Sequence, residues 1–485
     1  MTLERSRAAL AVLVPLCLLH CAGALAGPRD KGQKAGVRSS GSEFKVPVDY
    51  YKLPNGLRVV LSPDPTAPIV CVAVYYQIGF RIEPRDRTGF AHLFEHMMFQ
   101  GSENLGKMEH IKLVQQNGGT LNGSTRFDFT NYFEIMPANK LETVLWAEAD
   151  RMRGLAVTEE NLKNQQDVVS NEVKVSVLNQ PYGGFPWLDM PQYANSNWYN
   201  AHNFYGDLKD IEAATLSDVQ AFFKTYYAPN NAALVVTGDF EPARAKGWIE
   251  KYFASLKPAK LPPLPDLSEP RQEKEKRATK SDPKAQRPAL AIAYHMPERN
   301  TPEYYAMGLL STMLLRGDDS LLRQELVVKR GFTGNVGGGI NLLGNPWNYK
   351  GPMLLIASLI YDPATKPESI LQSIDGVIDP LRSKAVDRQT LDRALVKLES
   401  GFYNSVGDGG GFGLADLLAS FALFDDNPSR INSLLAEYQK VSPELIQKTA
   451  QEYLRPENRT VLIIEPRAVA PAPPAVAPKN QGDSR

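Results

Sequence analysis

The chain has 485 residues, 43% hydrophobic and 22% charged, a globular balance that excludes disorder as its main state and suggests two to four domains. Lys+Arg and Asp+Glu number 54 each, so bulk charge favours neither nucleic acid nor an anionic membrane. The three cysteines, Cys17, Cys21 and Cys71, exclude a disulfide framework and a cysteine zinc cage.

Arg5 and Arg7, the apolar stretch Ala8 to Leu19 and the small-x-small step Ala24-Leu25-Ala26 predict a secretory signal peptide over residues 1–26. The apolar core is too short to span a bilayer comfortably. The expected location is therefore an exported one, the bacterial periplasm, with no stable membrane span. A retained anchor and a lipid anchor at Cys21 are the lesser alternatives, the latter because bulky His20 precedes the cysteine. Residues 27–43 are polar and Gly/Ser-rich, a flexible leader.

Tyr51 to Ser62 predicts two short strands about the Asn55-Gly56 turn, and Ile69 to Ile78 a β-branched and aromatic strand. A helix over Thr88 to Gln100 stops at Gly101. Thr130 to Met136 reads as a strand, followed by helices over Ala138 to Leu155 and Thr158 to Asn179, the second capped by Thr158. Residues 257–288 hold seven prolines and fourteen charged residues and read as a connector with one short strand near Lys274 to Lys280. Ala289 to His295 is again a strand. Gly337-Gly338-Gly339 and the run 407–413 read as flexible loops, lacking the phosphate-loop context. Residues 467–485 are an Ala/Pro-rich extended tail.

Residues 219–236 and 446–463 form a weak repeat in which Tyr226 meets Tyr453, Pro229 meets Pro456 and Asn231 meets Asn458. Both copies read helix, Pro-Asn turn, apolar strand. The expected fold class is thus α+β, with two homologous α/β-sandwich domains, 44–256 and 289–466, joined by the charged Pro-rich linker 257–288.

The chemistry concentrates in His92-Leu93-Phe94-Glu95-His96. On a helix, positions i, i+3 and i+4 share a face, so both imidazoles and the carboxylate point one way. Neutral imidazoles bind zinc, and a nearby carboxylate can take a proton from water. A pair of surface histidines is the alternative. Two histidines do not close a catalytic zinc site; a third ligand is required.

His-x-x-Glu-His is the inverzincin order, and its surroundings resemble the pitrilysin/insulinase-type metallopeptidases, which include the mitochondrial processing peptidase. The matching stretches are LPNGLRVVL, YYQIGFRIEPRDRTGFAHLFEHMMFQGS, NGGTLNGSTRFDFTNYFEIMP and YYAPNNAALVVTGDF. The resemblance implies a duplicated fold and zinc-dependent hydrolysis of peptides or unfolded polypeptides, with one Zn2+ per chain. His92, His96 and Glu172 would bind the metal, Glu172 lying in NQQDVVSNEVKVSV, and Glu95 would be the general base. It implies an edge strand at Asn122, where an extended substrate pairs by its backbone, although an ordinary turn asparagine explains Asn122 equally well.

The chain departs from the family twice. Gln165 stands where many members carry a second glutamate beside the metal, which removes a charge but no ligand. In the stretch QELVVKRGFTG, Val327 and Gly334 occupy the positions of the family's substrate-clamping Arg and Tyr. The expected partner is therefore a related subunit that bears the Arg/Tyr pair and lacks His-x-x-Glu-His, making a heterodimer. A non-catalytic structural or assembly subunit is the alternative function, weakened by the intact motif. His110, His202 and His295 read as structural.

Overall fold

The structure, a computed structural model, describes residues 45–466. The expected signal peptide, the leader, Cys17, Cys21 and the Ala/Pro-rich tail lie outside the described residues. The described chain builds two sheets. The first contains β1 (Asp49–Lys52), β2 (Arg58–Pro63), β3 (Ile69–Tyr76), β4 (Thr120–Thr125), β5 (Thr130–Pro137) and β6 (Ala232–Gly238), in the order β1-β2-β6-β3-β5-β4. The second contains β7 (Lys276–Asp282), β8 (Ala289–His295), β9 (Gly337–Ile340), β10 (Leu354–Ile360) and β11 (Arg459–Pro466), in the order β7-β11-β8-β10-β9.

The second order repeats the first without β1. In both sheets one pair is parallel, β2 with β6 and β7 with β11, and the remaining neighbours of those strands run antiparallel. The sequence repeat has a matching bond pattern. Asn231 Nδ2 donates to Tyr226 O (2.8 Å) and Gln77 O (3.3 Å). Asn458 Nδ2 donates to Tyr453 O (2.7 Å) and His295 O (3.2 Å). Each asparagine ties its helix end to the end of the neighbouring central strand, which fixes the entry of β6 and β11.

β3 reads as a continuous apolar run because both of its faces are buried. Val70, Val72, Val74 and Tyr76 face helices of the first half, whereas Cys71, Ala73 and Tyr75 join the core of the second half. That second face is covered by the helix Phe412–Asp425, which packs on β2, β3 and β6. Its sequence, FGLADLLASFALFD, is apolar nearly all round, as a helix enclosed on every side should be. Its one buried carboxylate, Asp416, accepts from Tyr75 Oη (2.8 Å) and from Asn345 Nδ2 (2.6 Å). The exchange is reciprocal: Met190 and Ala194, on the helix Asp189–Ala194 of the first half, pack on Ala291, Ile356 and Leu462 of the second sheet.

Two loop expectations need correction. Gly337–Gly339 is the edge strand β9, paired with β10. Gly338 has φ +147°, and a Cβ there would lie 2.1 Å from Ile356 O; the missing side chain is what lets the edge close. The run 407–413 ends one helix, Arg388–Gly407, and forms a short 3-10 turn before Phe412, with Gly411 O accepting from Thr237 Oγ1 of the first sheet (3.2 Å). The Pro-rich stretch 257–288 also contributes β7 to the second sheet.

Candidate metal centre

The helix Phe90–Met97 carries the His-x-x-Glu-His residues. Phe90, Leu93, Phe94 and Met97 are wholly buried against the first-half core, so this apolar face sets the rotation of the helix and leaves the polar face to the site. Its start is fixed by a residue outside it. Glu83 accepts from Gly89 N (2.8 Å) and from Ala91 N, satisfying donors at the positive end of the helix. Gly89 has φ +80°, and a Cβ there would lie 2.5 Å from Tyr205 O. That close approach ties the Tyr205 segment to the start of the histidine helix.

The second element is the helix Glu159–Val173, capped by Thr158, whose Oγ1 accepts from Asn161 N (3.1 Å). The helix was expected to run to Asn179; α-helical geometry ends at Val173 and a π-helical turn follows over Lys174–Leu178. Glu172 lies just before that change. The two helices pack together, and the carboxylate of Glu172 meets both imidazoles: His92 Nε2 to Oε1 is 3.6 Å and His96 Nε2 to Oε2 is 3.1 Å.

These distances fit a shared cation. Ligands at about 2.0–2.1 Å from a tetrahedral zinc lie roughly 3.3 Å apart, between the two separations observed. The three ligand atoms all lie within 4.8 Å of one another. Glu172 Oε1 is buried and has no hydrogen-bond partner in the structure, as expected of a lone pair reserved for a metal. Burial, with the adjacent His96, holds His92 down at about 3, so it presents the neutral ring that zinc requires. Burial opposes the charged forms of His96 and Glu172 as well. Their mutual bond outweighs it, keeping His96 above and Glu172 below their ordinary values.

Around this group, Thr125 Oγ1 donates to Glu95 Oε2 at 2.8 Å, holding the carboxylate at the end of β4. Gln165 is buried and donates through Nε2 to Asn164 Oδ1 (2.8 Å). Asn122 lies in β4, an edge strand of the first sheet, and its Oδ1 accepts from Gly123 N (2.9 Å). Tyr205 packs edge-on against His92 with ring centroids 5.0 Å apart. Sequence reasoning passed over Thr125, Glu83 and Tyr205. Only the run NFYG, beside His202, carried any signal for the last.

A second carboxylate–histidine group, His110, Glu134 and Glu148, is fully buried. His110 Nε2 lies 2.9 Å from Glu134 Oε1, and Arg151 Nη2 is bonded to both Glu134 and Glu148. The guanidinium already supplies the cation, so the cluster is an ion network of the core. His202 contacts the carbonyls of Trp198 and Phe80, and His295 that of Ala194; both act as structural ties. In the second half, Val327 is partly buried against the core, and Gly334 faces open space.

Both halves of the chain match known protein families. The family described as Insulinase (Peptidase family M16) matches residues 58–190, and the Peptidase M16 inactive domain matches residues 213–398. The zinc protease PqqE of Helicobacter pylori is 27% identical over 423 residues, covering 85% of this chain and 92% of that protein. The probable mitochondrial-processing peptidase subunit beta of Arabidopsis thaliana is 24% identical over 207 residues, covering 42% of this chain and 38% of the relative. Among solved structures, a protease from Helicobacter pylori superposes with a TM-score of 0.80 at 24% identity, over 87% of this chain and all of that one. The periplasmic protease PqqL from Escherichia coli gives 0.69 at 16% identity, over 87% of this chain and 48% of that one. At these identities the two structures speak for the fold.

Proposed function

Because the chain belongs to peptidase family M16, we propose that it is a zinc-dependent endopeptidase subunit that hydrolyses peptides or unfolded polypeptides. The observation that carries this reading is the meeting of His92, His96 and Glu172, from two helices far apart in sequence, at ligand spacing around a partnerless carboxylate oxygen. A bound zinc supplies Lewis acidity at the scissile carbonyl and acidifies water. The chain's residues do the rest. Glu95, oriented by Thr125, takes the proton of the attacking water and returns it to the leaving amine. The edge strand β4, with Asn122, offers backbone groups to an extended substrate. Gln165, on the helix of Glu172, leaves this side of the site without an added negative charge.

The same reading includes export behind a signal peptide ending near residue 26, and two domains meeting across the stretch 257–288. Among the described residues no helix is long and apolar enough to cross a membrane. It also includes a partner. Val327 and Gly334 leave the second half without the clamping groups that the family resemblance implies, and a related subunit carrying that Arg/Tyr pair would supply them.

The test is zinc content and cleavage of unstructured peptides by the purified chain, alone and with related subunits, against Glu95→Gln. One zinc per chain, with cleavage that disappears in Glu95→Gln, is the expected result. Zinc binding with no cleavage under any pairing would favour a structural subunit, and cleavage undiminished in Glu95→Gln would remove the assigned base.

A further inference from the structure

Arg126 follows Thr125 at the end of β4, and its position is fixed. Its N–H donates to Phe129 O (2.8 Å), its carbonyl accepts from Phe80 N (3.2 Å), and its Nη1 donates to Thr125 O (3.0 Å). The side chain is therefore curled over the residue whose hydroxyl holds Glu95. It is half-buried. Burial pulls its pKa below the ordinary arginine value, and the charge of Glu95 is the foremost influence opposing that, followed by Asp416. The guanidinium is thus held at Thr125, the residue that orients the proposed base, and feels the charges of Glu95 and Asp416.

What sets Arg126 apart is its lack of a carboxylate. Other arginines withdrawn from solvent have one: Arg81 is 3.2 Å from Asp128, Arg151 is bonded to Glu134 and Arg299 to Asp425. Among the described residues Arg126 has no ion pair, and its side chain makes one hydrogen bond, to a backbone carbonyl. A guanidinium offers five N–H donors in a planar fork shaped for a carboxylate. Leaving such a group half-buried and unpaired costs stability unless something else pairs with it. If Glu95 is the base, a scissile bond would lie close to Thr125 and Arg126.

We propose that Arg126 is a specificity-determining residue that binds a carboxylate of the substrate close to the scissile bond. The inference rests on the peptidase reading above and narrows its substrate class to peptides carrying a negative charge beside the cut. That charge has two sources: an acidic side chain, or the free α-carboxylate of a chain end. The first makes the enzyme an acid-directed endopeptidase, the second a remover of short C-terminal pieces.

The experiment uses the zinc-loaded full chain with whatever subunit its activity requires. Unstructured peptides identical except for one Glu or Gln, scanned along the sequence, are each made with a free and an amidated C-terminus. The ratio of kcat/KM for Glu over Gln at the best position, or for free over amidated ends, is expected to reach about tenfold or more, the strength of a charge-assisted bond. It should collapse to about one in Arg126→Gln and recover in part in Arg126→Lys, while zinc content and Tm report folding. Binding of the same peptides to Glu95→Gln, with and without Arg126→Gln, gives the same ratio without turnover. A ratio near one in the wild type, or a preference that survives Arg126→Gln, overturns the proposal. If no peptide is cleaved but Glu95→Gln still prefers the charged peptide through Arg126, the carboxylate site stands and the catalytic reading falls.

Discussion

The helix Phe90–Met97 lies in the chain between β3 and β4, and the helix Pro302–Leu315 lies between β8 and β9, the matching strands of the second sheet. The first packs an apolar face into the core and carries His92, Glu95 and His96, with His92 also buried, on the other. The second, PEYYAMGLLSTMLL, is buried nearly throughout and has neither histidine nor aspartate. Its buried hydroxyls are satisfied: Tyr304 Oη donates to Pro346 O (2.7 Å), Thr312 Oγ1 donates to Gly308 O (3.0 Å), and Tyr305 Oη accepts from Arg430. The two halves therefore share what a sheet needs and differ in what chemistry needs. Strand order and the Asn-anchored turn are kept in both, because each supplies hydrogen bonds that burial makes obligatory. A metal site depends on three or four side chains on one face, and a half can lose them while its core stays filled.

The comparison breaks most sharply at the ligands. His96→Ala should abolish both stoichiometric zinc binding and cleavage, while Glu325→Gln, an acidic change in the second half, should leave zinc content unchanged; metal analysis of the two purified variants decides it. Glu95→Gln should keep one zinc and the wild-type Tm, yet lower kcat by about 10²–10⁴-fold, read by single-turnover cleavage. Gln165→Glu should slow zinc loss to a chelator by about tenfold, because a charged neighbour strengthens the ligand it orients.

The shared framework gives the smaller effects. Asn231→Ala and Asn458→Ala each remove two bonds made by a buried amide, so each should cost about 1–3 kcal/mol. Near-equal values in urea unfolding would show that the repeat is energetic as well as topological. Tyr75→Phe removes the bond to Asp416 that crosses from the first sheet to the second-half helix and should cost about 1–2 kcal/mol. A separate, earlier unfolding step in that variant would mean that the halves are held together mainly by this contact.

Periodicity and punctuation made much of the fold legible. β8 spans Ala289–His295 as expected, β3 and β5 differ only at their ends, and Thr158 caps its helix. The repeat announced two similar units because Pro-Asn turns and apolar strands are local features. Misreadings arose where a distant contact decides the conformation. Gly337–Gly339 has no strand propensity, yet it is a strand because β10 offers an edge and Ile356 O leaves no room for a side chain. The glutamate helix changes to a π turn at Lys174, a change no residue spacing predicted.

For the site, local spacing is enough to set the face. The i, i+3, i+4 spacing puts His92, Glu95 and His96 together on any helix, whatever it packs against. Glu172 could be named only through family resemblance, since a glutamate 76 residues away has no local tie to the histidines. Tertiary structure alone decided that the two helices meet at ligand distance, that Glu83 closes the helix start, and that Thr125 holds Glu95. It also decided that Arg126, one charged residue among 108 in the sequence, stands without a carboxylate beside the base. Local sequence fixes backbone periodicity and side-chain direction; which polar groups are left to find a partner is settled only when the sheets close over them.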